Sequence, residues 1–215
     1  DADKVIALPD SFTFEQGALV EPLSVGVHMV GRAGEVTGRN VVVMGAGPIG
    51  NLAAQAASAA GANVAVVDRI QYRLEVAAQC GIGKAVNVAQ ETFADGVRRL
   101  FGKQGFQVAL ECVGAEETVT NAIESVEKGG TVVVAGIFSE HPRVNMGLVQ
   151  DRELNVLGTL MYKREDYLTA VRLVAEQKVA TAPLESKHFA FEKFTDAYRY
   201  IDEHRDECLK VFVDM

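Results

Sequence analysis

The loop Gly45-Ala46-Gly47-Pro48-Ile49-Gly50 restricts the fold of this chain more than any other segment. Before it stands Val41-Val42-Val43-Met44, a short apolar run that reads as a buried strand. After it, Ile49, Leu52, Ala53, Ala56, Ala57 and Ala60 recur at helical spacing from Pro48 onward. Glycines spaced this way between strand and helix make a phosphate-binding turn, a weak signal until its neighbours agree. Each glycine has its own physical reason. Gly45 permits the tight turn, Gly47 lets a diphosphate approach the backbone, and Gly50 lets the helix pack closely on the strand. The helix N-terminus then offers free N–H groups and a partial positive charge to an anion. Pro48 suits the first turn, where its missing N–H costs nothing.

The neighbours do agree. Val64-Ala65-Val66-Val67 reads as a second strand and ends at Asp68, placed to accept hydrogen bonds from the hydroxyls of an adenosine ribose. A carboxylate there repels a 2′-phosphate, which favours NAD over NADP, whereas Arg69 beside it can accommodate one. An S-adenosylmethionine site also places an acid after the second strand, but the third glycine argues for a diphosphate. Helices follow at Gln71–Cys80, Glu91–Phe101 and Ala115–Val126. Strands follow at Ala85–Val88, Val108–Glu111, Thr131–Ala135 and Leu154–Leu160. This alternation predicts an α/β fold, a Rossmann doubly wound parallel sheet of order 3-2-1-4-5-6, with ligands at the carboxyl ends of its strands.

Both ends depart from the rhythm. Val5-Ile6-Ala7-Leu8 is strand-like, Phe14–Arg32 reads as a helix containing Pro22, Phe194–His204 as another, and Leu209–Val213 as an isolated strand. The chain thus divides into a bordering segment and linking helix over 1–30, a dinucleotide-binding domain over 31–165, and C-terminal helices and strand over 166–215.

Composition narrows the function classes. A net charge of −8 over 215 residues, with no basic run, disfavours nucleic acid and anionic membranes as partners. The charged opening Asp1-Ala2-Asp3-Lys4 does not read as a secretory leader, and no apolar stretch approaches the ~20 residues of a membrane span. Cys80, Cys112 and Cys208 are too few and too scattered for a disulfide framework or a metal knuckle, so reduced thiols in the cytoplasm are expected.

From Asp10 onward the sequence resembles the zinc-dependent medium-chain dehydrogenases, in the branch of the sorbitol, threonine and butanediol enzymes. The residues carrying the likeness are Gly17-Ala18-Leu19-Val20-Glu21-Pro22-Leu23-Ser24-Val25-Gly26-Val27-His28 and the glycine loop. Further along they are Asp68 with Arg73, Glu111-Cys112-Val113-Gly114, Gly129-Gly130 with the strand to Gly136, and Glu153 to Tyr162. The resemblance implies that Arg73 reaches the adenosine ribose and that Cys112, Val113 and Gly114 line the wall beside the nicotinamide ribose. It also implies that the backbone at Ala135, Gly136, Ile137, Thr159, Leu160 and Met161 holds the carboxamide. Cys112 reads equally well as a small buried thiol. Glu21 matches a glutamate beside the catalytic zinc and its water. Where the polyol branch carries an arginine before the tyrosine matching Tyr162, this chain has Met161, so a guanidinium contact to a polyol is missing.

The family's zinc ligands, a cysteine and a Gly-His-Glu motif, have no counterpart here, and the four histidines are scattered. The chain therefore reads as the NAD(H)-binding part of a longer zinc-dependent alcohol or polyol dehydrogenase, or as a natural remnant of one. It is expected to supply no metal ligand, zinc belonging to the full-length parent. A small alcohol is the expected partner there, and an edge strand open to pairing makes a homo-oligomer expected. A non-catalytic NAD(H)-binding module is the reading from another class. A zinc-free quinone reductase relative is disfavoured by Glu21-Pro22-Leu23-Ser24.

Overall fold

The computed structural model describes residues 5–215; the charged opening 1–4, read against a leader, lies outside the described residues. The chain opens with helix α1 (Phe14–Ala33), then alternates β1 (Asn40–Met44), α2 (Pro48–Ala59), β2 (Asn63–Asp68), α3 (Gln71–Gln79) and β3 (Ala85–Asn87). It continues through α4 (Phe93–Phe101), β4 (Val108–Glu111), α5 (Glu116–Ser125), β5 (Thr131–Val134), α6 (Met146–Asp151) and β6 (Asn155–Gly158). The last part comprises α7 (Arg164–Ala175), β7 (Glu185–Ala190), α8 (Phe194–Glu203) and β8 (Lys210–Asp214). Six strands form one parallel sheet in the order β3-β2-β1-β4-β5-β6, the doubly wound order expected from the sequence.

Strands β1, β2 and β4 are almost wholly buried because both sheet faces are covered there, whereas the edge strand β6 is largely exposed. In β1, Val41 and Val43 enter one core with residues of α1, α2 and α7, while Val42 and Met44 enter the other with residues of α4 and α5. That period of two is the pleat itself. Small residues set the helix spacing on the first face: a Cβ on Gly26 of α1 would lie 2.8 Å from the Ala53 backbone in α2. Helix ends follow local chemistry. Thr13 and Gln16 cap α1 reciprocally, and Gly61 (φ +86°) turns the chain out of α2. Helix α4 starts at Phe93 rather than Glu91 because Thr92 is its N-cap, its hydroxyl accepting from the Asp95 N–H.

Two expectations fail at the ends. Val5–Leu8 forms no strand. Leu8 instead touches α1, where a Cβ on Gly17 would meet its Cδ1 at 2.9 Å, while Val5 stays exposed. The C-terminal strand is not isolated: β8 pairs in parallel with β7. A buried polar tie docks this last part onto α2, with the Gln55 amide exchanging hydrogen bonds with the Ala180 main chain at 2.6 and 3.0 Å.

Candidate functional site

The turn from β1 into α2 has the geometry that its glycines imply. Gly45 sits at φ +92° and its N–H donates to the Val67 carbonyl at 2.7 Å. A Cβ on Gly50 would stand 1.9 Å from the Gly45 carbonyl oxygen, so α2 and the turn touch directly there. A Cβ on Gly47 would meet nothing within 4 Å. Gly47 is also the N-cap of α2, with no side-chain hydrogen bond and no acid in the first helical turn. No side chain of α2 itself therefore caps this helix end, and a diphosphate has room to reach it.

Beside the turn lies a cleft of about 650 Å³ between the ends of β1, β2 and β4. It gathers Gly45, Gly47, Pro48, Asp68, Arg69 and Arg73 from the expected set, and also Cys112 and Val113. Ile49 and Gly50 stand behind it, on the helix that packs against the turn. Asp68 is buried. Its Oδ2 accepts the Ala46 N–H at 2.8 Å and its Oδ1 the Ile70 N–H at 2.9 Å. The acid assigned to the ribose thus also tethers the phosphate loop. Each carboxylate oxygen still has a lone pair for a further donor. The Arg73 guanidinium comes within 3.8 Å of Asp68 and donates to the Arg205 carbonyl at 3.1 Å, while its Nε is buried without a partner.

Several lining residues escape the sequence reading. Ile70 and Val88 come from the ends of β2 and β3, Thr118 and Asn121 from α5. Arg205 and Asp206 come from the turn before β8, in a segment assigned to another domain, yet they form part of this wall. Cys112 lines the cleft while its thiol packs against Met29. Burial, and then the Glu111 carboxylate, push that thiol far above its usual range.

The remaining expected residues lie outside the cleft. Gly114, at φ +78°, packs on Ile137, and Gly136 packs on Gly114. Thr159 has a buried hydroxyl without a partner, whereas Ile137, Leu160 and Met161 are 91%, 83% and 58% exposed. Met161 holds φ +53°, an uncommon backbone conformation for such a side chain. Glu21 is exposed on α1; burial first, and then the Glu21 carboxylate, push the Tyr162 and Tyr167 phenols upward. Nearby, His28 meets Asp166 at 2.8 Å and joins α1 to α7.

A family model described as zinc-binding dehydrogenase matches residues 48–176. The chain belongs to the zinc-binding dehydrogenase family. Among its relatives, sorbitol dehydrogenase 1 of Saccharomyces cerevisiae is 37% identical over 98% of this chain and 61% of its own length. The D-xylulose reductase of the same yeast is 35% identical over 99% of this chain and 61% of its own length. The crystal structure of 2R,3R-butanediol dehydrogenase from Bacillus subtilis superposes with a TM-score of 0.90 at 25% identity, covering 100% of this chain and 62% of that one. The chain thus spans about three-fifths of the length of these relatives.

Family membership raises the question of zinc. Among the described residues, three metal-ligand side chains converge only at Glu15, His188 and Asp214, within 4.8 Å of one another. None of them lines the cleft, and the imidazole already hydrogen-bonds Asp214 at 2.9 Å. One imidazole and two carboxylates lack the cysteine that the resemblance implies for a catalytic zinc, and Gly-His-Glu is not among them.

Proposed function

We propose that the cleft at Gly45–Gly50 binds NAD(H), and that the chain is the cofactor-binding part of a zinc-dependent alcohol or polyol dehydrogenase. One observation carries the reading: the uncapped N-terminus of α2 opens at Gly47 onto a cleft whose rim holds Asp68. Residues 31–165 constitute the dinucleotide-binding domain in this reading. In the whole enzyme the substrate is a small alcohol whose carbinol carbon passes hydride to the nicotinamide, zinc supplying Lewis-acid polarisation. The exposed apolar side chains of Ile137, Leu160 and Met161, beyond the ends of β5 and β6, fit a carboxamide-end wall completed by residues outside this chain. Strand β6 pairs on one side only and leaves Val156 exposed, which supports a homo-oligomer formed through that edge. Three unpaired cysteines fit a reducing compartment such as the cytoplasm. Among the described residues no helix is long and apolar enough to cross a membrane.

Fluorescence titration with NADH and NADPH tests the cofactor assignment. The expected result is NADH binding at least tenfold tighter. Tighter NADPH binding refutes the choice of NAD, and no binding of either refutes the site. Alcohol oxidation by the isolated chain with added zinc is expected to be absent, and robust turnover would overturn that expectation. Sedimentation tests the oligomer, a monomer counting against the β6 edge.

A further inference from the structure

Glu111 closes β4 and is fully buried. A carboxylate placed there costs stability that an apolar side chain would not, so its contacts need an explanation. Its Oε1 accepts three donors: the N–H groups of Val113 and Gly114, each at 2.9 Å, and the Thr118 hydroxyl at 2.7 Å. Its Oε2 is buried with no partner. The main-chain carbonyl of the same residue accepts the N–H groups of Ala135 and Gly136, at 2.9 and 3.1 Å. The two loops interlock around it. A Cβ on Gly136 would stand 2.4 Å from Oε2 and 2.1 Å from the Gly114 nitrogen, and a Cβ on Gly114 would stand 2.4 Å from the Ile137 oxygen.

One residue therefore ties together the loops that follow β4 and β5, at the carboxyl ends of the strands where ligands of an open α/β sheet sit. The first loop contributes Val113 to the cleft wall and Thr118 lies just beyond it. We infer that Glu111 is a positioning residue, whose Oε1 sets where Val113 and Gly114 stand, and through the packing of Gly114 on Gly136 and Ile137 the loop after β5, against the bound cofactor. The inference rests on the reading that the cleft holds NAD(H).

Glu111→Leu fills the space but removes the acceptor, leaving the Val113 and Gly114 N–H groups unpaired. Glu111→Gln keeps one acceptor oxygen, and its amide nitrogen replaces an oxygen that had no donor. In the full chain, folded Glu111→Leu is expected to bind NADH at least tenfold more weakly, with Glu111→Gln within about threefold of wild type. Amide exchange measured without cofactor is expected to be slow at Val113 and Gly114 in wild type and at least tenfold faster in Glu111→Leu. A residue that only held the fold would lower thermal stability and leave NADH affinity of the folded variant unchanged, an outcome that overturns the inference. Fast exchange at Val113 and Gly114 in wild type also overturns it, and that measurement stands if Glu111→Leu does not fold. Failure of wild type to bind NADH while those amides stay protected instead refutes the cofactor reading.

Discussion

Gly50 and Gly47 stand three residues apart, and the structure assigns them opposite consequences on substitution by alanine. A Cβ at Gly50 would lie 1.9 Å from the Gly45 carbonyl oxygen. An ordinary carbon–oxygen contact is about 3.3 Å, so one side must retreat by roughly 1.4 Å. The Gly45 turn is held by its 2.7 Å hydrogen bond to Val67, so α2 is the part that lifts. Overpacking of this kind costs about 3 kcal/mol, the upper end of the usual range, because backbone meets Cβ rather than a flexible side chain. For a chain of 215 residues that is a fall in Tm of roughly 6–12 °C. Gly47→Ala meets no atom within 4 Å, and Gly47 has φ −64°, which alanine adopts freely. Losing glycine at an N-cap costs about 0.5–1 kcal/mol, and the stiffer unfolded chain returns about 0.4–1 kcal/mol. Its Tm should therefore stay within about 3 °C of wild type. The new methyl nevertheless occupies the approach of the diphosphate, so NADH binding should weaken at least tenfold, about 1.4 kcal/mol. Scanning calorimetry with NADH fluorescence titration, run well below both transitions, separates the two variants. If Gly47→Ala binds NADH as wild type does, the diphosphate does not sit on this loop. If Gly50→Ala melts with wild type, the contact between α2 and the turn is not what the structure states.

Asp68→Ala strands the Ala46 and Ile70 N–H groups. It should cost about 2 kcal/mol or more, read as a lower urea midpoint at unchanged m-value, and an unchanged midpoint would refute the tether. Burial holds the Cys80 thiol up to about 11 and that of Cys112 higher still. Iodoacetamide at pH 8 should therefore leave both unmodified in the folded protein, and labelling at the rate of a free thiol would contradict this. The Asp214 hydrogen bond holds the His188 imidazolium above its ordinary range. Its contribution to the β7–β8 pair is thus complete below the unfolded-state value and fades as pH rises through the folded one. An NMR titration of His188 should give a midpoint above that of a model peptide, and a midpoint at or below it would sink the assignment.

The middle of the sheet was legible because its strands there are buried on both faces. Val41–Met44 and Val64–Val67 show unbroken apolar runs, and each ends at a residue with turn or acid chemistry. Strand β7 was not legible for the converse reason. Its sequence Glu-Ser-Lys-His-Phe-Ala carries no such run, and it is a strand because β8 lies beside it more than twenty residues later. Composition cannot report a partner that the chain supplies from so far away. Val5–Leu8 shows the same limit from the other side: an apolar run with strand character finds no strand partner, and of it Leu8 touches α1 at Gly17.

The site divides along the same line. The phosphate loop is local, six residues whose spacing carries its own reasons, whereas the wall at Arg205 and Asp206 comes from the turn before β8, far along the chain from that loop. The acid at Asp68 was legible as a residue but only half legible as a function. Its carboxylate fastens the Ala46 N–H as well as facing the cleft. Loss of cofactor affinity on mutating Asp68 therefore mixes a displaced phosphate loop with a lost ribose contact. The ratio of NADH to NADPH affinity separates them if Asp68 is the ribose acid proposed above, because the loop serves the diphosphate of both cofactors equally, whereas removing the Asp68 carboxylate leaves Arg69 in place and removes its repulsion of a 2′-phosphate. A variant that lowers both affinities by the same factor has lost the tether; one that changes the ratio has lost the ribose contact proposed for Asp68.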